Sequence, residues 1–259
     1  MVSRRNVIIG SAAAVVVVAG AGWYLTSRPQ TGGETGVREA PGATVGMAQL
    51  MAPAGGWVDH AEGADDAPVV VVEYASPTCP HCAAFHNDVY PEFKQRYIDT
   101  GLVKFILRPM LRGGPAGAID GAVFMVADAS GESFHDVVAT YFRTQNVWAV
   151  SNTPRDALFD VAEQLGFTQE SFASALTNQS LFEAMNAVRD QALNDFGLTG
   201  TPTFYINGKQ VTGDRTVEEL AAEIDPLLPA GMAPAPLATD TAPADVPATP
   251  AAPAASPVN

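Results

Sequence analysis

Val69-Val70-Val71-Val72-Glu73-Tyr74-Ala75-Ser76 runs through Pro77-Thr78 into Cys79-Pro80-His81-Cys82-Ala83, and the reading of this stretch decides the fold. A β-branched run bounded by Pro68 and by a Ser-Pro-Thr loop predicts a buried strand. From Cys79 to Thr100 the pattern becomes that of a helix. Residues three apart are neighbours on a helix, so both cysteines lie on one face of its first turn, within reach of a disulfide. Unpaired N–H groups and the positive end of the helix dipole favour thiolate over thiol at the first position. Cys79 is therefore expected to be the acidic, exposed nucleophile. Cys82, one turn further in, is expected to be the shielded resolving thiol.

Other uses of a C-x-x-C fit less well. Covalent haem attachment requires His in the fifth position, which Ala83 occupies. A zinc site usually takes four Cys or His ligands, and His60, His81, His86 and His135 stand at no paired spacing. A purely structural disulfide closing so small a loop would stabilise little. Redox chemistry is the favoured reading, and it needs no bound cofactor. Thiol pKa values at helix N-termini fall to about 3.5–7.5, and a low-pKa thiol is a good leaving group, so a disulfide through Cys79 hands its oxidation on. His81, between the cysteines, is placed to stabilise the Cys79 thiolate by charge or hydrogen bond. Glu73 stands out in an apolar strand, because an ionised carboxylate there is costly unless paired.

Ala67-Pro68-Val69 through Glu73-Tyr74, with Ser76 and Cys79-Pro80-His81-Cys82, resembles the DsbA-type thiol-disulfide oxidoreductases of the thioredoxin superfamily. Gly197-Leu198-Thr199-Gly200-Thr201-Pro202-Thr203-Phe204 resembles the loop carrying that family's cis-proline beside the active-site disulfide. The resemblance implies an α/β thioredoxin-like fold with a helical domain inserted between its two halves, at residues 114–196. It further implies that Glu73 is a buried acid near Cys82 that relays its proton. Pro202 is implied to be cis, against a background of about 5–6% of X-Pro bonds. Thr201 would then offer its backbone to an extended client chain, whatever the client's side chains. Tyr74 and His86 read as packing or surface residues.

The rest of the chain frames this domain, expected at residues 59–228. Twenty-eight acids against fourteen Lys and Arg give a net charge of −14, which argues against nucleic acid or an anionic bilayer as a partner. In residues 1–25, Arg4 and Arg5 precede an uncharged stretch from Val7 to Leu25 that would span about 28 Å as a helix. The basic flank stays cytoplasmic and sends the chain beyond Leu25 across the membrane. Retention as an anchor is expected over cleavage after Ala19-Gly20-Ala21, by either the general or the twin-arginine route. The domain would then stand on the periplasmic side of a bacterial inner membrane, an oxidising compartment. Having no cysteine outside the C-x-x-C fits that setting.

Residues 26–58, rich in Gly, Ala, Thr and Pro, read as a flexible linker with a reach of roughly 35 Å, although Met47, Leu50, Met51 and Trp57 could pack on the domain edge. Residues 229–259 read as a disordered Pro/Ala-rich tail. Between them, Leu102–Leu107 reads as a second strand. Phe134, Val137, Val138, Tyr141 and Phe142 form a core-facing helical stripe, as do Leu181, Met185, Val188 and Ala192. Thr153, Thr168 and Thr216 are candidate N-caps, Thr216 in a capping box with Glu219. Asn207-Gly208 is the turn of a two-residue hairpin. Exported proteins with thiols or disulfides are the expected clients, and a membrane redox partner is expected to reset the cysteine pair. Two alternatives stay open: a disulfide reductase or isomerase, and a non-catalytic chaperone or metal carrier on the same fold.

Overall fold

A computed structural model of the chain describes residues 44–234. The expected signal or anchor at residues 1–25, the linker up to residue 43 and the tail beyond residue 234 lie outside the described residues. Five strands, β1 (Ala61–Glu62), β2 (Val69–Ala75), β3 (Val103–Pro109), β4 (Thr203–Ile206) and β5 (Lys209–Thr212), form a sheet in the order β1-β3-β2-β4-β5. Strand β2 is central. It runs parallel to β3, with Glu73 opposite Leu107, and antiparallel to β4, with Glu73 opposite Phe204. Every residue of β2 except Val70 is buried, which explains a near-continuous apolar run in place of alternation.

The helices follow in chain order. They are α1 (Met47–Leu50), a helical run α2 over 80–98, α3 (Pro115–Ala129), α4 (Phe134–Arg143), α5 (Gln145–Trp148), α6 (Pro154–Gln164), α7 (Gln169–Ala175), α8 (Gln179–Asn194) and α9 (Val217–Ile224). Helices α3 to α8 fall between β3 and β4, so a helical domain interrupts an α/β thioredoxin-like fold. The aromatic stripe of α4 is buried along its whole length, and Met185, Val188 and Ala192 of α8 are buried with it. Thr168 and Thr216 close capping boxes with Ser171 and Glu219. Thr153 precedes Pro154 at the start of α6 but makes no side-chain capping bond; its hydroxyl lies 3.4 Å from that of Ser151, which also accepts its N–H at 3.1 Å.

Helix α2 is less regular than its sequence predicts. It is α-helical at Pro80–Ala84 and Tyr90–Phe93 but widens into π-turns at Phe85–Val89 and Lys94–Ile98. Pro91 has no N–H to continue the i to i−4 ladder, and the wider turn before it relieves the clash of its ring with the Asn87 carbonyl. Asn207 and Gly208 both take positive φ, 44° and 88°, as the hairpin turn requires.

The expected linker is corrected over its last fifteen or so residues, 44–58, which belong to the folded body. Thr44 bridges to Lys209, Val45 N–H donates to the Gly208 carbonyl at 2.8 Å, and Ala54 N–H donates to Gln191 Oε1 at 3.0 Å. Leu50 and Trp57 are 0% and 4% exposed, whereas Met51, grouped with them from sequence, is 39% exposed. Burial of a leucine alone contributes roughly 1.5–3 kcal/mol, enough to tether a short segment. Gly208 is doubly required, since a Cβ there would lie 2.1 Å from the Val45 carbonyl oxygen. Immediately after this segment Asp59 accepts two hydrogen bonds, at 2.8 and 2.7 Å, from Arg108. Arg108 is fully buried in β3 and also donates to the Tyr74 hydroxyl at 3.0 Å, so Tyr74 is an inside residue with a polar partner.

Candidate active site

The loop that delivers Cys79 to its helix is held from the inserted domain. Asp120 of α3, fully buried, accepts from the Ser76 hydroxyl at 2.8 Å, the Thr78 N–H at 2.8 Å and the Arg112 N–H at 3.0 Å. Burial pushes its carboxyl above the ordinary range despite these three donors. Gln145, at the start of α5, donates to the carbonyls of Pro77 and Cys79 at 2.7 and 3.0 Å. Cys79 itself is the N-cap, with extended φ/ψ of −85° and 121°, and Pro80 follows at a position where a missing N–H costs nothing.

Both cysteines are free thiols. Cys79 Sγ lies 3.4 Å from the Thr201 carbonyl oxygen, and the Thr201–Pro202 peptide bond is cis. The expectation of an exposed nucleophile is corrected here. Cys79 is only 5% exposed, because the Thr201 loop closes over a sulfur that the sequence places at an open helix end.

The two thiols differ sharply in acidity. Hydrogen bonding from the Cys82 thiol lowers the Cys79 pKa most; burial opposes it, and the Thr201 side chain and the N–H groups of Cys82 and His81 add to the lowering, bringing it to about 5. Cys82 is pushed well above the ordinary thiol value, first by burial and then by the bond it gives to Cys79 and by the charges of Glu73 and Cys79. His81 points to the surface, where its Nδ1 meets Asp214 Oδ2 at 2.8 Å with both side chains more than half exposed. An exposed pair of this kind is screened by solvent and holds the ring in place more than it stabilises the fold.

Beneath the cysteines, Glu73 of β2 is fully buried, and its Oε2 lies 2.9 Å from His86 Nε2. The other oxygen, Oε1, is buried without a hydrogen-bond partner. His86 is 7% exposed, so the reading of this histidine as a packing or surface residue missed a buried polar pairing. A signal was present: His86 follows Cys82 by four positions, which places it on the same helix face. Asp120, a lone acid within Ala118-Ile119-Asp120-Gly121-Ala122, carried the same kind of signal as Glu73. Gln145 and Asp214 carried none, since their roles depend on where separate loops converge. Among the described residues, no group of three or more His, Cys, Asp or Glu is arranged to hold a metal ion.

A family model described as thioredoxin matches residues 58–226. The chain belongs to the thioredoxin family. Within it, the chain is 34% identical over 172 residues to a Rickettsia bellii protein provisionally named a protein-disulfide oxidoreductase, a match covering 64% of this chain and 63% of that protein. The chain thus spans less than two thirds of that relative's length. Disulfide bond formation protein D of Bacillus subtilis is 29% identical over 169 residues, covering 63% of this chain and 74% of that one. Among solved structures, Wolbachia pipientis α-DsbA1 is 25% identical with a TM-score of 0.63 over 69% of this chain and 94% of that one. The oxidised BdbD of Bacillus subtilis, at 23% identity and a TM-score of 0.60 over 73% and 98%, shares the fold. These likenesses give a DsbA-type thioredoxin fold, in agreement with the motifs around Cys79 and Pro202.

Proposed function

We propose that the chain is an exported thiol-disulfide oxidoreductase that forms disulfide bonds in client proteins through Cys79 and Cys82. The observation that carries the reading is the placement of the two thiols, Cys79 at the helix N-cap against the Thr201 carbonyl at 3.4 Å and Cys82 fully buried one turn further in, which lowers the first to about 5 and raises the second. The names borne by the Rickettsia and Bacillus relatives agree with it.

In the working cycle a client thiolate attacks Cys79 Sγ of the enzyme disulfide. The bond between the two cysteines breaks, its electron pair stays on Cys82, and Cys82 takes up a proton. A second client thiolate then attacks the client sulfur of the mixed disulfide and Cys79 leaves as a thiolate. The client has lost two electrons and the enzyme has gained them. Cys79 is the better leaving group by virtue of its low pKa, which drives the exchange toward client oxidation. Glu73, whose charge acts on Cys82, gives and takes the Cys82 proton. The Thr201 backbone, in contact with Cys79 Sγ, is positioned to pair with an extended client segment beside Pro202. His81 contributes its backbone N–H to the Cys79 thiolate, while its ring is held by Asp214.

The export reading rests on Arg4, Arg5 and the apolar stretch Val7 to Leu25; among the described residues no helix is long and apolar enough to cross a membrane. A membrane redox partner that accepts the two electrons completes the cycle. Equilibration of the cysteine pair with glutathione tests the direction. The expected reduction potential is less negative than about −180 mV, whereas a value near −270 mV would make the protein a reductase.

A further inference from the structure

Resting on the reading of Glu73 as the group that exchanges a proton with Cys82, we propose that His86 is the positioning residue for that transfer, anchoring one carboxylate oxygen so that the other serves the thiol. The imidazole cannot turn freely. It stacks on Phe142 with ring centroids 4.3 Å apart and planes at 15°, and meets Tyr90 and Phe85 at 5.0 and 5.3 Å. So held, it presents Nε2 to Glu73 Oε2 at 2.9 Å and leaves the buried Oε1 without a protein partner. A buried carboxylate with one oxygen bonded and one free is oriented without being exhausted as an acceptor.

The steps balance with His86 as a spectator to the atoms transferred. When a client thiolate bonds to Cys79, the electron pair of the broken S–S bond goes to Cys82 Sγ, which takes the proton of the Glu73 carboxyl. When the pair is reset, the Glu73 carboxylate takes the Cys82 proton as Cys82 Sγ bonds to Cys79 Sγ and the partner's thiolate leaves. At each appearance of the carboxylate charge, the His86 N–H offsets the loss of water around it.

The other titratable groups facing His86 are Tyr90 from its own helix and His135 from α4, with Glu62 behind both. Tyr90 donates to Glu62, and burial raises its phenol so that it stays protonated. Burial lowers His135 against the pull of Glu62, favouring its neutral form.

The test loads Cys79 with glutathione as a mixed disulfide and tracks glutathione release by Cys82 across pH. His86→Phe keeps the ring stacked on Phe142 but removes the donor, so the carboxylate forms less readily. The profile should then move up by about one pH unit or more, a roughly tenfold slower release on its acid side. His86→Gln, which restores an N–H donor, should recover most of the rate. Alkylation of Cys79 in both variants should keep the parent's midpoint, expected at about 5, showing that the fold and the nucleophile are intact. A His86→Phe profile that superimposes on the parent's, while Glu73→Gln still shifts it, overturns the positioning role alone. Superimposed profiles in both His86→Phe and Glu73→Gln overturn the reading of Glu73 as well. Should His86→Phe fail to fold, a His86→Gln release no faster than that of Glu73→Gln overturns the proposal, and one close to the parent's supports it.

Discussion

Cys79 and Cys82 are separated by a single helical turn, yet one sulfur sits at the helix cap beneath the Thr201 carbonyl and the other lies between the cap and a buried carboxylate. The first is bathed in donors, the second in negative charge, and this asymmetry predicts how substitutions behave. Cys79→Ser should abolish exchange. Cys82→Ser should retain attack through Cys79 and accumulate mixed disulfides, visible as an adduct by intact mass. In the native dithiol, the alkylation rate of Cys79 should rise as pH passes through about 5 and then level off, with Cys82 unreactive at neutral pH. Equal alkylation of the two thiols near neutrality would remove the basis for assigning them different roles. Part of this was legible in the sequence, because Cys79-Pro80-His81-Cys82 sets locally the Cys82 thiol and the Cys82 and His81 N–H groups that lower Cys79, whereas the Thr201 contribution comes from a distant loop. The near-complete burial of Cys79 was not, since it is imposed by a loop more than a hundred residues away.

Among the elements, those with a local period were read correctly. The β2 run, the α4 stripe and the Asn207-Gly208 hairpin each state their burial or turn in a few consecutive residues. Residues 44–58 were legible only in part: Leu50 and Trp57 stood out as possible edge contacts, but the anchors Val45, Leu50 and Trp57 are too widely spaced among Gly, Ala and Pro to make a periodic pattern. The π-turns of α2 escaped because Pro91 announces a break in the ladder without saying how the chain absorbs it. The packed segment leads to a clear expectation. Removing residues 1–43 should leave the denaturant midpoint unchanged, whereas removing residues 1–58 should lower it. Trp57→Ala in the full chain should destabilise by about 3–5 kcal/mol, as for other buried aromatic truncations. A midpoint indifferent to Trp57 would return residues 44–58 to the linker.

For the whole molecule, the proposed direction of exchange requires that the folded protein favour its reduced form and so drive oxidation of others. The donors around Cys79 stabilise a thiolate that exists only in the dithiol, and a thermodynamic cycle converts that gain into oxidising power. A thiol whose folded pKa is depressed adds stability that is fully present above its unfolded value, about 8.5, and is lost as pH falls through the folded value of about 5. The raised Cys82 works the other way only above its unfolded value, so neutral pH isolates Cys79. The decisive comparison is therefore between the thermal midpoints of the dithiol and disulfide forms, taken at pH 7 and again near pH 5. The dithiol should melt higher at pH 7, and the gap should shrink in acid. A disulfide form that melts higher at pH 7 would rule out a strong oxidant and leave a reductase or isomerase in its place.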